Sequence, residues 1–277
     1  MAISSFHSNH QPRVSVLMAL NRVDSFLEPA IDSILQQTFQ DFELVIAIDS
    51  GCGGCNAELP ANCRQSPKVR LIEAPPVGGF VYALNTGIAV SRGEYIARMD
   101  GDDISAPDRL NEQVAYLDAH PEVAVLGCRA CLIDAEGNTL ERKYPYFQSN
   151  EEIRRVLPYR NPLLHPALMF RKDALLAMGG YKYGHTSEDH ELFIRMARNP
   201  RITFHNLDKE LFAYRRHGLQ ATRPGRIRVS FVEISGFLFT EFLLTYSPKY
   251  LFGMFVIHPW VRRIRMLFRK LRYGASS

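Results

Sequence analysis

A succession of short apolar runs, separated by segments of helical period, most constrains this chain. Val14-Ser-Val-Leu-Met18, FELVIAID (42–49), VRLIEA (69–74) and EYIARM (94–99) are each long enough for one strand and largely lack in-and-out alternation. Such runs suit strands covered on both faces, the condition of a parallel sheet. Between them, DSFLEPAIDSILQQTF places Leu27, Ile31, Ile34 and Leu35 on one helical face with Asp24 as its N-cap. FVYALNTGIAVS has helical character with Gly87 as a weak point. PDRLNEQVAYLDAH, with an early proline and carboxylates in its first turn, predicts a helix, and VAVLGC predicts a fifth strand. This alternation implies an α/β fold with a parallel sheet and right-handed crossovers. Ligands then sit beyond the carboxyl ends of the strands, at the switch point. The second and fourth strands end in Asp49 and Asp100. The stretch 148–162 reads as a turn-rich seam within one domain, and no internal repeat is visible.

A chain of 277 residues can bury a full core, and 46% hydrophobic with 22% charged residues is the balance of a folded protein. The net charge of +4 conceals an asymmetry: from Arg201 onward 14 Lys and Arg face 4 Asp and Glu, so the rear is basic and the front acidic. The start, MAISSFHSNHQPR, lacks the basic-then-apolar order of a signal peptide, and residues 1–12 are expected to be loosely held. No run reaches the roughly 18 to 20 apolar residues of a spanning helix. The richest, FVEISGFLFTEFLLTY, is broken by Glu233 and Glu241. Five cysteines, an odd number, argue against a secreted disulfide framework and for reduced thiols in the cytoplasm. Cys52 with Cys55 and Cys128 with Cys131 have C-x-x-C spacing. The second pair falls at a strand, where residues three apart point to opposite faces, whereas a zinc site needs converging ligands. A site shared by Cys52, Cys55, Cys63 and one outside ligand stays open.

Asp100-Gly-Asp-Asp103 sets three carboxylates within four residues, directly after an apolar strand. One reading is a solvated turn that also caps the helix from Pro107. Like charges this close are costly without a compensating cation, however, and hard divalent ions favour oxygen ligands and substrate phosphates. D-x-D spacing at a strand end favours the metal reading.

Several further blocks carry a resemblance. VSVLMALNR, SILQQTFQDFELVIAID, ALNTGIAVSRGEYIARMDGDD, APDRL, HPALMFR, MGGY, SEDHELFIRM and YRRHG occur in the order seen in family 2 glycosyltransferases. The chain resembles that family over about residues 13 to 220. The resemblance implies a GT-A fold, a Rossmann-like, mixed, mostly parallel sheet flanked by helices, with a catalytic domain over 13–222, and the residues beyond it, 223–277, read as a helical, basic extension. It implies inverting transfer of a sugar from a nucleotide diphosphate, UDP by family prior, to a saccharide or lipid-linked acceptor in bacterial surface polysaccharide. Mn²⁺ or Mg²⁺ would lie on Asp100 and Asp102, against the diphosphate, and Asp103 would complete the shell or orient hydroxyls. The matching motif puts the general base on Asp189, with Glu188 positioning it or the acceptor. The alternative for this pair is a helix N-terminus capped by Ser187, with acids complementing the dipole.

Donor contacts implied by the resemblance are Ala19, Asn21, Asp49, Asn85, Arg98, the Asp100-Gly101-Asp102-Asp103 motif, His165, Arg215 and His217. Ala19-Leu20-Asn21 stands where the family shows a Pro-x-Tyr-Asn-like end, so an aromatic base contact is missing or supplied elsewhere. Asp49 falls on the first or second of two family aspartates, depending on one inserted residue. For Asn85 the alternative is a side-chain hydrogen bond of its helix, and for His165 and His217 a structural role. Arg215 and Arg216 are placed to meet the diphosphate from a closing loop.

Past Arg223 the resemblance fades. Trp260, Ile264, Met266, Leu267 and Leu271 interleave with Arg262, Arg263, Arg265, Arg269, Lys270 and Arg272. The pattern fits an amphipathic helix on anionic lipid at the inner face of the cytoplasmic membrane. The alternatives are packing on the catalytic domain, a dimer contact or a nucleic-acid patch, and no nucleic acid is expected. Rival functions are a sugar-nucleotide nucleotidyltransferase, whose glycine-rich loop ALNRVDSF does not match, and a non-catalytic zinc- or thiol-binding relative.

Overall fold

The computed structural model describes residues 11–49, 59–75, 79–141, 144–184, 186–218, 227–261 and 263–264. The elements run β1 (Val14–Leu20), α1 (Leu27–Leu35), β2 (Phe42–Asp49), α2 (Ala61–Gln65), β3 (Val69–Ala74), α3 (Gly79–Val90) and β4 (Tyr95–Met99). They continue with β5 (Ile104–Ser105), α4 (Arg109–Ala119), β6 (Val123–Ile133), α5 (Asn150–Val156), β7 (Met169–Arg171) and α6 (Lys172–Ala177). The last are α7 (Glu188–Ala197), β8 (Thr203–Arg215), α8 (Ile227–Thr245) and α9 (Pro248–Ile257).

One sheet has the order β3-β2-β1-β4-β7-β6-β8-β5. β1 pairs in parallel with β2 (Val14 opposite Phe42) and with β4 (Val14 opposite Tyr95), and β2 pairs in parallel with β3. β7 is antiparallel to both β4 and β6, and β8 runs parallel to β6. Two covered faces explain the apolar runs of β1, β2 and β4, whereas VRLIEA, expected to be covered likewise, forms the edge strand β3 and is only partly buried, with Leu71 exposed. Val16 and Met18 join the core that includes Leu27, Ile31 and Ile34 of α1 and Leu110 and Leu117 of α4. Leu17 and Ala19, pointing the other way, join Leu84 and Ile88 of α3 and Leu192 and Phe193 of α7.

Gly87, a weakness for the isolated helix, is where α3 meets β1: a Cβ there would lie 2.2 Å from Leu17 Cδ1. Asp24 is not the N-cap of α1. Phe26 holds that position, and Asp24 instead accepts from the Phe26 N–H at 3.0 Å and receives Arg22 Nε at 2.8 Å. Asp24 thus closes the turn that precedes the helix, with one carboxylate oxygen on the Phe26 N–H and the other on Arg22. The seam at 148–162 contains α5, closed by a capping box of Ser149 and Glu152, and that box is legible as S-x-x-E. VAVLGC extends to an eleven-residue strand, β6.

The C-terminal helices rest on the body through Leu238, Tyr250 and a salt bridge from Arg198 to the buried Glu241. α9 approaches Pro158 so closely that a Cβ on Gly253 would lie 2.3 Å from its carbonyl oxygen. Among the described residues no helix is long and apolar enough to cross a membrane. The basic stretch beyond Ile264, like the Cys52–Cys55 pair and residues 1–10, lies outside the described residues.

Candidate active site

Residues Asp100–Asp103 leave β4 at the switch point, beside the end of β1. Asp100 is backed by Arg98, whose side chain is 1% exposed. Strand alternation turns Arg98 under the sheet end, where its Nη1 donates to Leu17 O at 3.2 Å and its Nη2 to Asp100 Oδ1. Arg109, also buried, donates from Nη2 to Arg98 O at 2.7 Å and fixes the backbone of the motif from below. Burial raises the Asp100 carboxyl; Arg98 opposes the shift and Asp102 adds to it. Gly101 passes so close to β1 that a Cβ would lie 2.8 Å from Leu20 Cδ2.

Asp102 Oδ2 accepts from His217 Nε2 at 2.9 Å and from Arg22 Nη2 at 3.2 Å. Asp103 is fully buried: Oδ1 accepts from the Arg215 N–H at 2.8 Å, whereas Oδ2 has no hydrogen-bond partner. Burial, then Asp102 and Asp100, push its carboxyl well above the usual range. One ligand oxygen from each of Asp100, Asp102 and Asp103 lies within 4.8 Å of the others. Three carboxylates so close, one with an orphaned buried oxygen, fit a hard divalent cation, which would relieve both the repulsion and the missing bond.

The second acidic centre opens α7. Ser187 occupies the N-cap position without a side-chain cap bond. Asp189 Oδ1 accepts from the His190 N–H at 2.7 Å and Oδ2 from Asn161 Nδ2 at 2.7 Å. His190 is buried and donates from Nε2 to Leu157 O at 2.8 Å, which anchors the turn. Burial, followed by the charge of Asp100 across the site, lifts the Asp189 carboxyl to about 6. Glu188 is lifted to about 8 by burial, then by Asp189 and Asp100. The charge of Asp100 bears on both acids, so the two centres lie within electrostatic reach of each other.

Other sequence-expected residues divide by position. Ala19 is buried at the end of β1 and Asn21 is exposed just beyond it. Asp49 closes β2 at the carboxyl edge, one residue past the Leu20–Ile48 pair, and is paired with Ala74 of β3. Asn85 spends its amide on the Tyr181 backbone, accepting the N–H at 2.9 Å and donating to the carbonyl at 2.7 Å. His165 meets the Tyr181 hydroxyl through Nε2 at 2.5 Å, and burial holds it neutral. Arg215 clamps the acidic turn, giving Nε to Asp102 O at 2.8 Å and Nη1 to Asp134 O and Ala135 O at 3.1 Å each. His217 alone among these histidines points into the acidic cluster, its ring 4.6 Å from that of Phe26.

Asn161, Arg22 and Tyr181 escaped sequence reasoning. An Asn-Pro step signals a turn, and only the fold brings this one to Asp189. Next to the acids lies a cavity of about 190 Å³ whose lining includes Arg129, Cys131, Tyr144, Tyr146 and Glu210. Pro162, the neighbour of Asn161, also lines it. The Tyr144 hydroxyl is raised to about 12 by burial and then by Asp189, and its ring meets Tyr214 edge-on at 6.0 Å. A larger depression of about 390 Å³, over Lys182, Arg195 and Asn199, lies toward the opposite end of α7. Cys63 and Cys128 are buried, with thiols raised to about 11 by burial, and Cys131 is half-buried. Among the described residues no cysteine joins a group able to hold a metal.

A mostly parallel sheet of this order, with helices on both faces, is the GT-A class of fold. The chain belongs to glycosyl transferase family 2 and is a glycosyltransferase, its residues 15–178 matching the profile described as "Glycosyl transferase family 2". It is 34% identical over 233 residues to the O-antigen biosynthesis glycosyltransferase WbnJ of Escherichia coli, covering 83% of this chain and 89% of that one. To the amylovoran biosynthesis glycosyltransferase AmsE of Erwinia amylovora it is 31% identical over 173 residues, 61% of this chain and 63% of that one. The mannosyltransferase PcManGT of Pyrobaculum calidifontis, in complex with GDP-Man and Mn²⁺, superposes with a TM-score of 0.64 at 18% identity, covering 97% of this chain and 77% of that one. S. aureus TarS 1-349 in complex with UDP-GlcNAc gives 0.62 at 17%, covering 82% and 66%.

Proposed function

We propose that this chain transfers a sugar, with inversion, from a nucleoside diphosphate sugar, UDP-linked by family prior, to a hydroxyl of a saccharide or lipid-linked acceptor in surface polysaccharide synthesis. The observation that carries this reading is the pairing of two unlike acidic centres on one site. At Asp100–Asp103 the carboxylates converge on one another; at Asp189 one carboxylate is held by an amide and a backbone N–H.

Asp189 titrates near 6, so at neutral pH it is ionised yet basic enough to accept a proton in a transition state. It takes the proton of the acceptor hydroxyl as that oxygen bonds to the anomeric carbon. The bond from that carbon to the diphosphate breaks, and the nucleoside diphosphate leaves with the electron pair. Attack from the face opposite the leaving group inverts the centre. Glu188, raised to about 8, stays protonated at neutral pH and can donate a hydrogen bond to the acceptor. Asp100 and Asp102 would hold Mn²⁺ or Mg²⁺, which when bound supplies Lewis-acid neutralisation of the departing phosphate oxygens. Arg98 and Arg215 keep the acidic turn in place from beneath. Asp49 and Asn21, at the open edge of β2 and β1, are assigned to the nucleoside, and the cavity beside Tyr144 to the acceptor sugar.

The donor class rests on the resemblance and on GDP-Man and UDP-GlcNAc in the structural neighbours. The pathway class rests on the names of WbnJ and AmsE. The buried thiols suit the reduced cytoplasm assigned to the chain. The test is a donor screen by nucleotide release, with and without Mn²⁺, on wild type, Asp102→Ala and Asp189→Ala. Release from one nucleotide sugar by wild type alone supports the reading. Full activity of Asp189→Ala removes the base, and turnover indifferent to chelator removes the metal.

A further inference from the structure

The two C-terminal helices reverse the usual polarity of surface helices. On α8 the acids point inward: Glu241 is 3% exposed and paired with Arg198, and Glu233 accepts from the Thr186 N–H and hydroxyl. Outward, Val229, Val232, Phe239 and Leu243, spaced by three, seven and four residues, share one helical face as an exposed stripe. Tyr246 follows in the turn, and α9 continues the surface with Leu251, Phe252 and Phe255, then Trp260 and Ile264. Val232, Phe255 and Trp260 are each more than 60% exposed. Isolated exposed apolar residues need no explanation, but a contiguous series on two packed helices marks a site of association.

The charges around this face select its occupant. Those of exposed residues on α8 and α9 and just beyond are Arg228, Lys249 and Arg263, all positive, with no exposed acid among the described residues of this segment. The sequence continues with Arg265, Arg269, Lys270 and Arg272 and no acid. A second copy docking through the same face would bring positive rims together. An anionic lipid surface offers apolar acyl chains to the stripe and phosphates to the rim. We propose that the exposed face of α8 and α9 docks on an anionic bilayer, lying in its interface without crossing it.

This goes beyond the transferase reading, and its test needs neither donor nor turnover. Full-length protein is floated with vesicles of phosphatidylcholine alone and of phosphatidylcholine mixed with phosphatidylglycerol. Wild type should float with the anionic vesicles, less with the neutral ones, and less again at high salt as the rim is screened. Leu243→Ser with Phe255→Ser, both at exposed positions of this face, should lower partitioning about tenfold or more while leaving the melting temperature unchanged. Lys249→Glu with Arg263→Glu should abolish the preference for anionic vesicles. Equal flotation of wild type and the Ser variant would overturn the proposal, as would no flotation. Light scattering without lipid covers the remaining occupant: a dimer dispersed by the same Ser substitutions assigns the face to a second copy and also refutes the lipid reading.

Discussion

Replacing Asp189 with Asn should make the protein more stable and nearly inactive at once. Burial and the field of Asp100 raise this carboxyl from 3.8 to about 6 in the folded state. The folded state therefore binds the proton more tightly than the unfolded one. The cost of ionising it in place is absent below about pH 4, grows as pH rises through that interval, and is complete above about pH 6. Two units at about 1.4 kcal/mol each set an upper bound near 3 kcal/mol. Asn retains the shape but has one carbonyl oxygen where Asp189 uses two, so one bond, to Asn161 or to the His190 N–H, is weakened at a cost of about 1 kcal/mol. The expected net gain is about 1 to 2 kcal/mol at pH 8, or roughly 2 to 4 °C in melting temperature for a chain of this length. Melts of wild type and Asp189→Asn, run in chelator at pH 4 and pH 8, measure it: the gain should be present at pH 8 and gone at pH 4. Nucleotide release coupled to acceptor should fall by about a hundred- to ten-thousandfold. A variant less stable than wild type at pH 8, or one that turns over normally, would refute the reasoning.

Mn²⁺ at a hundred times its dissociation constant should stabilise wild type by about 2.7 kcal/mol and raise its melting temperature, and Asp102→Asn should abolish that shift in a thermal-shift titration. Asn161→Ala removes a bond that favours the ionised form of Asp189, so the acid limb of the kcat–pH profile should move to higher pH, with activity lowered about ten- to a hundredfold. Tyr144→Ala should raise KM for the acceptor several-fold and leave KM for the donor unchanged, measured with each substrate varied in turn. Gly87→Ala should destabilise the fold by about 1 to 2 kcal/mol in denaturant melts, because overpacking against Leu17 exceeds the gain in helix propensity.

Much of this protein follows from local pattern. The runs at 14–18, 42–49 and 94–99 are strands because largely apolar residues satisfy two covered faces, and the structure shows Val16 and Leu17 serving opposite cores, while 69–74, at the sheet edge, is only partly covered. The Asp100–Asp103 motif and the acids opening α7 are likewise legible, since each is a short contiguous segment at an element end. Tertiary structure decided the rest. The antiparallel β7 between β4 and β6 depends on pairing partners distant in sequence. Asn85 and His165, read as flanking the nucleotide, are engaged with Tyr181, a contact no local window contains. The orphaned oxygen of Asp103, the arginine beneath Asp100 and the amide that holds Asp189 arise where separate stretches of chain meet. Sequence by itself determines which residue types stand at the ends of strands and helices. Burial, hydrogen-bond partners and proton affinity belong to the assembled neighbourhood, because desolvation and Coulomb fields depend on distance in space and not along the chain.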